Sequence, residues 1–295
     1  MVARDGDNGV VTVTIPEQVA VACGSDPERL DWLRRLRTTV NDLSERWRLD
    51  VGPPIQGRDV TCSWVAPVRQ GRRRAILKLG MPHMEGRDEL AGLRFWNGDP
   101  TVHLLDADGD ANAMLLEACE PGHSLRNRPE PEQDIVIAGM LLRLWRRPGF
   151  GHPFRPLAVQ TAFWSAETAN DRHRWPDAGQ VQEGLTLFER LSRTSPTDVL
   201  LATDLHAGNV LSATRRPWLA IDPKPFVGDR AYDATQHLLN CRDRLRAAPR
   251  DTVRRFSDVL DVDAERIRLW LFARLVAEPR HAWDDDSLAV ARSLS

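Results

Sequence analysis

The sequence predicts an α+β protein with two lobes, a smaller strand-rich N-terminal lobe and a larger, mainly helical C-terminal lobe. Its 295 residues are enough for two lobes around a cleft and too many for one small-core module. Strand-like patterns dominate the first part of the chain, and helical patterns dominate the second. The change falls at Glu120, Pro121 and Gly122, where turn-forming residues interrupt the pattern. We therefore predict lobes over residues 1–118 and 119–295, with a hinge at this break.

The N-terminal lobe is predicted to open with a helix and to continue with two strand pairs. Apolar residues from Leu30 to Trp47 recur at steps of three and four, which is typical of an amphipathic helix, and Asp26 and Pro27 suit its first positions. The segments SWVAPVRQ and AILKLG flank the turn-like GRRR, so they predict a hairpin. A second helix is expected over residues 85–96, and VHLLDADGDANAMLLEAC predicts another hairpin.

The C-terminal lobe is predicted to be helical apart from one hairpin. Apolar stripes at helical spacing occur in IVIAGMLLRLW, QVQEGLTLFERL and RIRLWLFARLV. Between the second and third stripes, the short apolar runs NVLSA and WLAID are joined by TRRP, which predicts a β-hairpin with polar residues at both ends. The candidate chemistry of the chain is concentrated at this hairpin.

Composition argues against several classes of protein. The formal net charge of −2 gives no basic face for nucleic acid and no basic amphipathic helix for a membrane surface. No stretch approaches the roughly 18 apolar residues of a membrane span, and the start lacks a signal-type apolar core, so we expect a cytoplasmic location. The four cysteines are scattered without a CxxC pair, which argues against a zinc site or a disulfide framework. We predict no nucleic-acid or membrane partner and favour a monomer.

Three oxygen-bearing side chains flank the predicted hairpin of the C-terminal lobe. Asp204 and Asn209 precede its first strand in TDLHAGN, and Asp222 follows its second strand in AIDPK. Because the strands reverse direction, we expect the three side chains to meet at one edge. Magnesium prefers hard oxygen ligands and takes one or two of them from protein, which suits Asn209 and Asp222. Asp204 would then accept the proton of an attacking hydroxyl.

The string TDLHAGN followed by AIDPK resembles the catalytic and metal-binding loops of the protein-kinase-like phosphotransferases. The longer string DLHAGNVL through PWLAIDPKPFVGDRAYDATQHLLNC more narrowly resembles the aminoglycoside/hydroxyurea antibiotic resistance kinases, a group that includes streptomycin 6-kinases. The segments SWVAP, AILKLG, EGRDELAGLRFW and RLWLFAR are similar to that group in the same order, so the resemblance covers roughly residues 50–280. It implies a bilobal protein-kinase-like fold, with ATP as phosphate donor and Mg²⁺ as cofactor.

The resemblance assigns residues to the N-terminal lobe, which it implies is the nucleotide-binding lobe. Lys78 in AILKLG matches the strand lysine that contacts the α- and β-phosphates, and Lys78 and Lys224 are the only lysines of the chain. Kinases orient this ammonium through a helix glutamate. Glu89 matches that position, and Glu85 is the competing partner. For Lys224, a phosphate contact and a structural or surface ion pair are both left open.

Other nucleotide contacts follow from the resemblance alone. The segment VGPPIQGRDVTCSW lacks the GxGxxG loop of protein kinases, and antibiotic kinases are similar in lacking it. Backbone amides and the hydroxyls of Thr61 and Ser63 are expected to contact the phosphates instead. By analogy of fold, the adenine is expected against MLLEAC, where backbone groups of Glu117 and Cys119 would contact its edge.

Three further residues near the catalytic loop are predicted to have supporting roles. His206 lies two residues after Asp204, which is the antibiotic-kinase arrangement, and we expect it to brace the loop by hydrogen bonding and not to transfer protons. Asp229 and Asp233 follow Asp222 at the start of a predicted helix. Asp229 is placed to cap that helix, and structural support is the expected role of both.

The predicted function is ATP-dependent transfer of the γ-phosphate to a hydroxyl of a small molecule. The resemblance implies an aminoglycoside of the streptomycin type, and hence antibiotic resistance, with hydroxyurea or another small hydroxylated molecule as the alternative acceptor. A polycationic acceptor needs carboxylates, and the helical lobe offers Glu167, Asp177 and Glu183, whereas residues 284–286 are predicted to be a solvated tail. Two rival functions are a kinase acting on a protein, for which an APE segment is missing, and a non-catalytic nucleotide-binding module.

Overall fold

A computed structural model of the chain describes residues 13–57, 62–278 and 283–295. Within them the chain divides into two units between Glu120 and Pro121. The first unit is built on a five-stranded sheet, and the second is mainly helical with two small sheets. The α+β class that the sequence predicts is therefore confirmed.

In its described part, the first unit contains three helices and one antiparallel sheet. The helices are α1 (Glu17–Ala22), α2 (Pro27–Trp47) and α3 (Glu89–Trp96), and the strands are β1 (Asp50–Val51), β2 (Ser63–Gln70), β3 (Arg73–Gly80), β4 (Leu104–Asp108) and β5 (Ala113–Glu117). The strand order is β1-β2-β3-β5-β4, and neighbouring strands are antiparallel. Both predicted hairpins, β2–β3 and β4–β5, are confirmed. Strand β3 is therefore central, with a partner on each side.

Helix α2 forms where its cap and apolar stripe predict. The Asp26 carboxylate accepts hydrogen bonds from the backbone N–H groups of Glu28 and Arg29, and Pro27 occupies the first turn. The buried stripe of the helix and sheet side chains such as Trp64 belong to one hydrophobic core. The stripe consists of Trp32, Leu36, Val40, Leu43 and Trp47.

The next helix begins later than the sequence predicts. A helix over residues 85–96 is expected from the pattern, but Glu85–Asp88 form a 3₁₀ turn and α3 begins at Glu89. Gly86 lies within this turn, and a Cβ added there would meet His83 Cε1 at 2.2 Å. Glycine is a poor helix former, and here it allows the turn to pack against the imidazole. Glu89 consequently becomes the first residue of α3.

In its described part, the second unit consists of helices around two short sheets. The strands are β6 (Pro121–Ser124), β7 (Val199–Leu201), β8 (Val210–Ala213), β9 (Trp218–Ala220) and β10 (Phe226–Gly228), and the helices are α4 (Glu130–Leu144), α5 (Leu157–Asn170), α6 (Ala178–Leu191), α7 (Arg230–Asn240), α8 (Arg242–Ala247), α9 (Pro249–Leu260), α10 (Ala264–Ala277) and α11 (Asp285–Leu294). One sheet has the order β6-β8-β9, and β10 pairs with β7 in the other. The predicted hairpin is β8–β9 and is confirmed.

Helix α10 lies at the centre of the second unit. It packs against α6, α7, α9 and α11, and its side chains from Trp270 to Ala277 are buried. The Trp270 ring meets the Tyr232 ring of α7 edge to face at 5.1 Å. Because neighbours surround the helix, its apolar stripe is nearly continuous, as the RLWLFARLV segment suggests. A polar side chain in this stretch, such as Arg274, must therefore find its partners inside the protein.

None of the described helices is both long enough and apolar enough to cross a bilayer.

Candidate active site

The loop between β7 and β8 contains the first two candidate residues, and the end of β9 leads to the third. Strands β8 and β9 pair in antiparallel register, and the Ile221 N–H donates to the Asn209 carbonyl oxygen at 2.9 Å. Asn209 and Asp222 therefore stand at the same end of the hairpin. Asn209 Nδ2 also donates to the Asp204 carbonyl oxygen at 3.0 Å, which joins the start of the loop to its end.

The oxygen atoms at this end of the hairpin suit a magnesium ion. Asn209 uses its amide N–H on the loop backbone, and within the described residues its Oδ1 accepts no hydrogen bond. The Asp222 side chain is 33% exposed, so its carboxylate can be reached. Amide and carboxylate oxygens are the hard donors that Mg²⁺ takes from proteins before water and phosphate complete its shell. These residues therefore fit the cofactor that the sequence predicts.

Two non-glycine residues beside the site hold a left-handed backbone. Thr203, directly before Asp204, has φ 49°, and Asp222 has φ 54°. Such conformations cost on the order of 1–3 kcal/mol each and persist only where neighbouring bonds hold them. Here Thr203 Oγ1 donates to the Lys224 carbonyl oxygen at 2.5 Å, and the Lys224 N–H donates to the Ala202 carbonyl oxygen at 2.8 Å. The two strained segments thus hold each other in place.

Asp233 anchors the catalytic loop from helix α7. Its carboxylate accepts hydrogen bonds from the backbone N–H groups of Ala202 (3.0 Å) and Thr203 (2.7 Å) and from the Trp145 indole (2.9 Å). Complete burial raises the pKa of Asp233 to about 6, while these three N–H donors act in the opposite direction. The supporting role predicted for Asp233 is confirmed.

The Asp204 carboxylate is itself held by a side chain of α7. Its Oδ1 accepts a hydrogen bond from Gln236 Nε2 at 2.7 Å, and His206 Nε2 lies 4.0 Å from the same oxygen. His206 Nδ1 accepts the Gly208 N–H at 3.0 Å, so the ring braces the loop as predicted. A Cβ added at Gly208 would meet Arg126 Nη2 at 2.4 Å and the His206 ring at 2.7 Å, so a larger residue would displace these side chains.

Sequence reasoning missed Gln236. The one available signal is its spacing, because a residue three positions after Asp233 lies on the same face of a helix. Asp233 holds the backbone before Asp204, and Gln236 holds the Asp204 side chain. Helix α7 therefore supports both the side chain of Asp204 and the backbone that precedes it.

Lys224 forms an ion pair with the candidate metal ligand. Its ammonium donates to Asp222 Oδ1, and its side chain is only 8% exposed. The structure shows the ion pair, in which the ammonium is buried and the carboxylate is partly exposed, and the phosphate contact stays a prediction. Any cation at Asp222 shares this carboxylate with Lys224.

The first unit contains the other predicted ion pair. Lys78 Nζ on the central strand β3 donates to Glu89 Oε1 at 2.6 Å and to Oε2 at 2.7 Å. The two side chains are 7% and 4% exposed. Glu89, the first residue of α3, is thus a partner of Lys78, and the competing candidate Glu85 is buried in the preceding turn.

The other residues predicted to contact the nucleotide make no contact within the described part of the chain that tests this role. Ser63 is the buried first residue of β2, opposite Gly80 of β3, and Thr61 lies outside the described residues. The Glu117 N–H donates to the His103 carbonyl oxygen at 2.9 Å, so this amide is already used within the protein. Cys119 is half-buried and forms no disulfide bond within the described residues.

Several acidic candidates cap helices. Asp229 accepts the Ala231 N–H at 3.0 Å and caps α7, which confirms its predicted role. Asp177 accepts the N–H of Gln180 at 3.0 Å at the start of α6. Asp284 accepts the Ser287 N–H at 2.8 Å at the start of α11. These three carboxylates stabilise the N-termini of their helices.

A second cluster of potential metal ligands lies elsewhere in the described part of this unit. Ligand atoms of Asp134, His237 and Cys241 lie within 4.8 Å of one another. His237 Nε2 is 2.7 Å from Asp134 Oδ1, and the Arg244 guanidinium donates to both Asp134 oxygens at 2.5 and 2.8 Å. Although burial raises the pKa of Asp134, its bonds to Arg244 and His237 outweigh burial and lower that pKa to about 2. The guanidinium already neutralises the carboxylate, so the cluster is an ion-pair network.

Comparisons with known proteins give close relatives in sequence. The model of the aminoglycoside/hydroxyurea antibiotic resistance kinase family matches residues 46–286. A streptomycin 6-kinase from Streptomyces glaucescens is 34% identical over 301 residues, covering 94% of this chain and 94% of the relative. A hydroxyurea phosphotransferase from Kitasatospora aureofaciens is 34% identical over 271 residues, covering 88% of this chain and 77% of the relative.

Solved structures give more distant relatives in fold. Choline kinase LicA from Streptococcus pneumoniae has a TM-score of 0.60 at 14% identity, covering 88% of this chain and 97% of the other. An aminoglycoside phosphotransferase solved with ADP and hygromycin B has a TM-score of 0.54 at 15% identity, covering 85% and 97%. At these identities the likeness concerns the fold alone, and it confirms the protein-kinase-like fold that the sequence predicts.

Proposed function

The chain belongs to the aminoglycoside/hydroxyurea antibiotic resistance kinase family, and from this premise we propose that it transfers the γ-phosphate of ATP to a hydroxyl of a streptomycin-type aminoglycoside. It is a phosphotransferase with a hydroxyl group as acceptor, and it acts in antibiotic resistance. The observation that supports this choice of acceptor is the 34% identity to a streptomycin 6-kinase across 94% of both chains. Because ATP is the donor, we place the reaction in the cytoplasm. We also propose that the chain acts as a monomer.

In this proposal Asp204 is the catalytic residue. Phosphoryl transfer depends mainly on positioning and charge neutralisation, so the carboxylate has to orient the acceptor hydroxyl and take its proton. Hydrogen bonds hold both its side chain and the backbone before it. Such fixed geometry is what a group needs when it must meet a hydroxyl in line with the phosphate.

Asn209 Oδ1 and the Asp222 carboxylate would hold Mg²⁺, which supplies charge neutralisation on the phosphates when bound. Asn209 points its amide N–H at the Asp204 backbone, which leaves its oxygen for the cation. Lys224 keeps the Asp222 carboxylate paired and oriented. In the same loop, His206 and Gly208 maintain the turn that presents Asn209.

The first unit, residues 1–118 in the sequence-based division, would bind the nucleotide. We assign Lys78 to the α- and β-phosphates, with Glu89 orienting its ammonium. Backbone amides near Ser63, with the hydroxyls of Thr61 and Ser63, complete the phosphate contacts, and backbone groups of Glu117 and Cys119 contact the adenine edge. Residues 119–295 would contain the catalytic loop and the acceptor site.

A specific observation keeps hydroxyurea as a second acceptor: a hydroxyurea phosphotransferase is also 34% identical to this chain. A panel of streptomycin, other aminoglycosides and hydroxyurea, incubated with labelled ATP and Mg²⁺, separates the acceptors by which product carries label. We expect labelled streptomycin. Label on hydroxyurea alone would transfer the assignment to the second acceptor, and no turnover with any compound would favour the non-catalytic nucleotide-binding module.

The same assay tests the role of Asp204. Asp204→Ala should lower the rate roughly a hundredfold to ten-thousandfold, as loss of a general base commonly does. Asp263→Ala, which removes only the exposed cap of α10, is the matched control and should keep near wild-type turnover. Near full phosphorylation by the Asp204 variant would remove the assignment.

A further inference from the structure

Gln236 contacts the residue proposed as the catalytic base. It lies on α7, and its Nε2 donates to Asp204 Oδ1 at 2.7 Å. This bond spans 32 positions of sequence, so it depends on how α7 packs against the loop. Asp204 and Gln236 are both partly buried, which protects the bond from competition with water.

The orientation of the Gln236 amide is determined by a second bond. Gln236 Oε1 accepts a hydrogen bond from Arg274 Nη2 at 2.7 Å. A guanidinium only donates, so the amide oxygen must face Arg274, and the amide nitrogen must then face Asp204. The Gln236 side chain therefore presents a donor, and not an acceptor, to the carboxylate.

Arg274 is itself held rigidly inside the second unit. Its side chain is 3% exposed, its Nε donates to Glu278 Oε2 at 2.7 Å, and its Nη1 donates to Thr235 Oγ1 at 2.8 Å. The guanidinium carbon lies 4.9 Å from the centre of the Tyr232 ring. The chain of bonds from Glu278 through Arg274 and Gln236 to Asp204 thus begins at a fixed, fully buried group.

We propose that Gln236 is a positioning residue for phosphoryl transfer, with Arg274 holding its amide so that its N–H fixes the orientation of the Asp204 carboxylate. The inference rests on the proposed function, because it gives Asp204 the role of proton acceptor. The hydrogen bond prevents rotation of the carboxylate about its Cβ–Cγ bond. A carboxylate fixed in this way can meet the acceptor hydroxyl in one geometry.

Gln236→Glu and Gln236→Met separate the donor from the side chain's volume. The glutamate keeps an acceptor for Arg274 but offers Asp204 no N–H, whereas the methionine removes both polar groups. With the acceptor that turns over in the panel, streptomycin first, we expect kcat to fall about 10- to 100-fold in both variants, while KM for ATP stays within twofold. Gln182→Glu is the matched control, because it makes the same amide-to-carboxylate change at an exposed position of α6 and should leave kcat unchanged.

The split between kcat and KM gives a readout that general destabilisation would not produce. A folded variant that has lost only the positioning of Asp204 should show a lower kcat with an unchanged KM for ATP. A partly unfolded variant would lose activity in proportion to its unfolded fraction. Thermal unfolding checks that each variant is folded, and if the glutamate variant does not fold, the methionine variant decides.

Two results have different meanings. If both Gln236 variants keep kcat within threefold of wild type while Asp204→Asn is inactive, the positioning role is overturned and the proposed function stands. If Asp204→Asn retains full activity, the proposed role of Asp204 fails first.

Discussion

Replacing Lys78 by methionine removes an ammonium from the interior of the first unit while preserving most of the side-chain volume. The partner, Glu89, is 4% exposed and would be left as a buried carboxylate without its cation. Removing one member of a buried ion pair costs about 3–5 kcal/mol, because the remaining charge has lost both water and its partner. We therefore expect Lys78→Met to lower the free energy of unfolding by about that amount.

The double variant separates the ion pair from the chemistry. Glu89→Gln alone should cost about 2 kcal/mol, since Lys78 keeps an amide oxygen as acceptor. The double variant Lys78→Met/Glu89→Gln leaves neither charge of the pair in the interior. Its loss in the free energy of unfolding should therefore be smaller, by about 2 kcal/mol or more, than the sum of the two single losses. Its catalytic defect should nevertheless remain, because the phosphate contact is still missing.

Urea unfolding and steady-state kinetics measure the two effects separately. We expect kcat/KM for ATP to fall about a hundredfold or more in Lys78→Met and in the double variant. Strictly additive losses of stability would refute the energetic coupling of the pair. An activity of Lys78→Met within threefold of wild type would refute the phosphate role.

Three further outcomes are expected. Gly208→Ala places a Cβ 2.7 Å from the His206 ring and should lower kcat about tenfold, whereas Gly139→Ala, where a Cβ meets nothing within 4 Å, should leave kcat unchanged; equal effects would contradict the reasoning. Asp222→Asn should lower kcat at least a hundredfold and raise the Mg²⁺ concentration needed for half-maximal rate, and an unchanged magnesium titration would remove Asp222 as a ligand. The pKa of Asp134 in the folded chain, about 2, lies below its unfolded value of about 3.9, so its contribution to stability is complete above about pH 4 and is lost as the pH falls towards 2; urea unfolding should show this loss, about 2 kcal/mol, in wild type and not in Asp134→Asn.

Local relations between residues were predictable because the sequence itself encodes them. The β8–β9 hairpin spans only residues 210–220, so its register follows from two short apolar runs and a turn, and it brings Asn209 and Asp222 to one end. The Lys78–Glu89 pair, which the family resemblance implied, joins β3 to the helix that follows it, eleven positions along the chain. The short strands β7 and β10 were not predicted. Each has three residues, which are too few to display an alternation of apolar and polar side chains.

The sequence by itself determined the α+β class, the family and the residue types that the chemistry requires, since these depend on composition, periodicity and motifs that lie close together in the chain. Only the tertiary structure decided how Asp204 is supported. Its anchors Asp233 and Gln236 lie 29 and 32 positions away, and Arg274 lies further along the chain, on α10. No spacing rule predicts such contacts, because they arise from the packing of α7 and α10, whose buried polar groups must find partners wherever the fold places them.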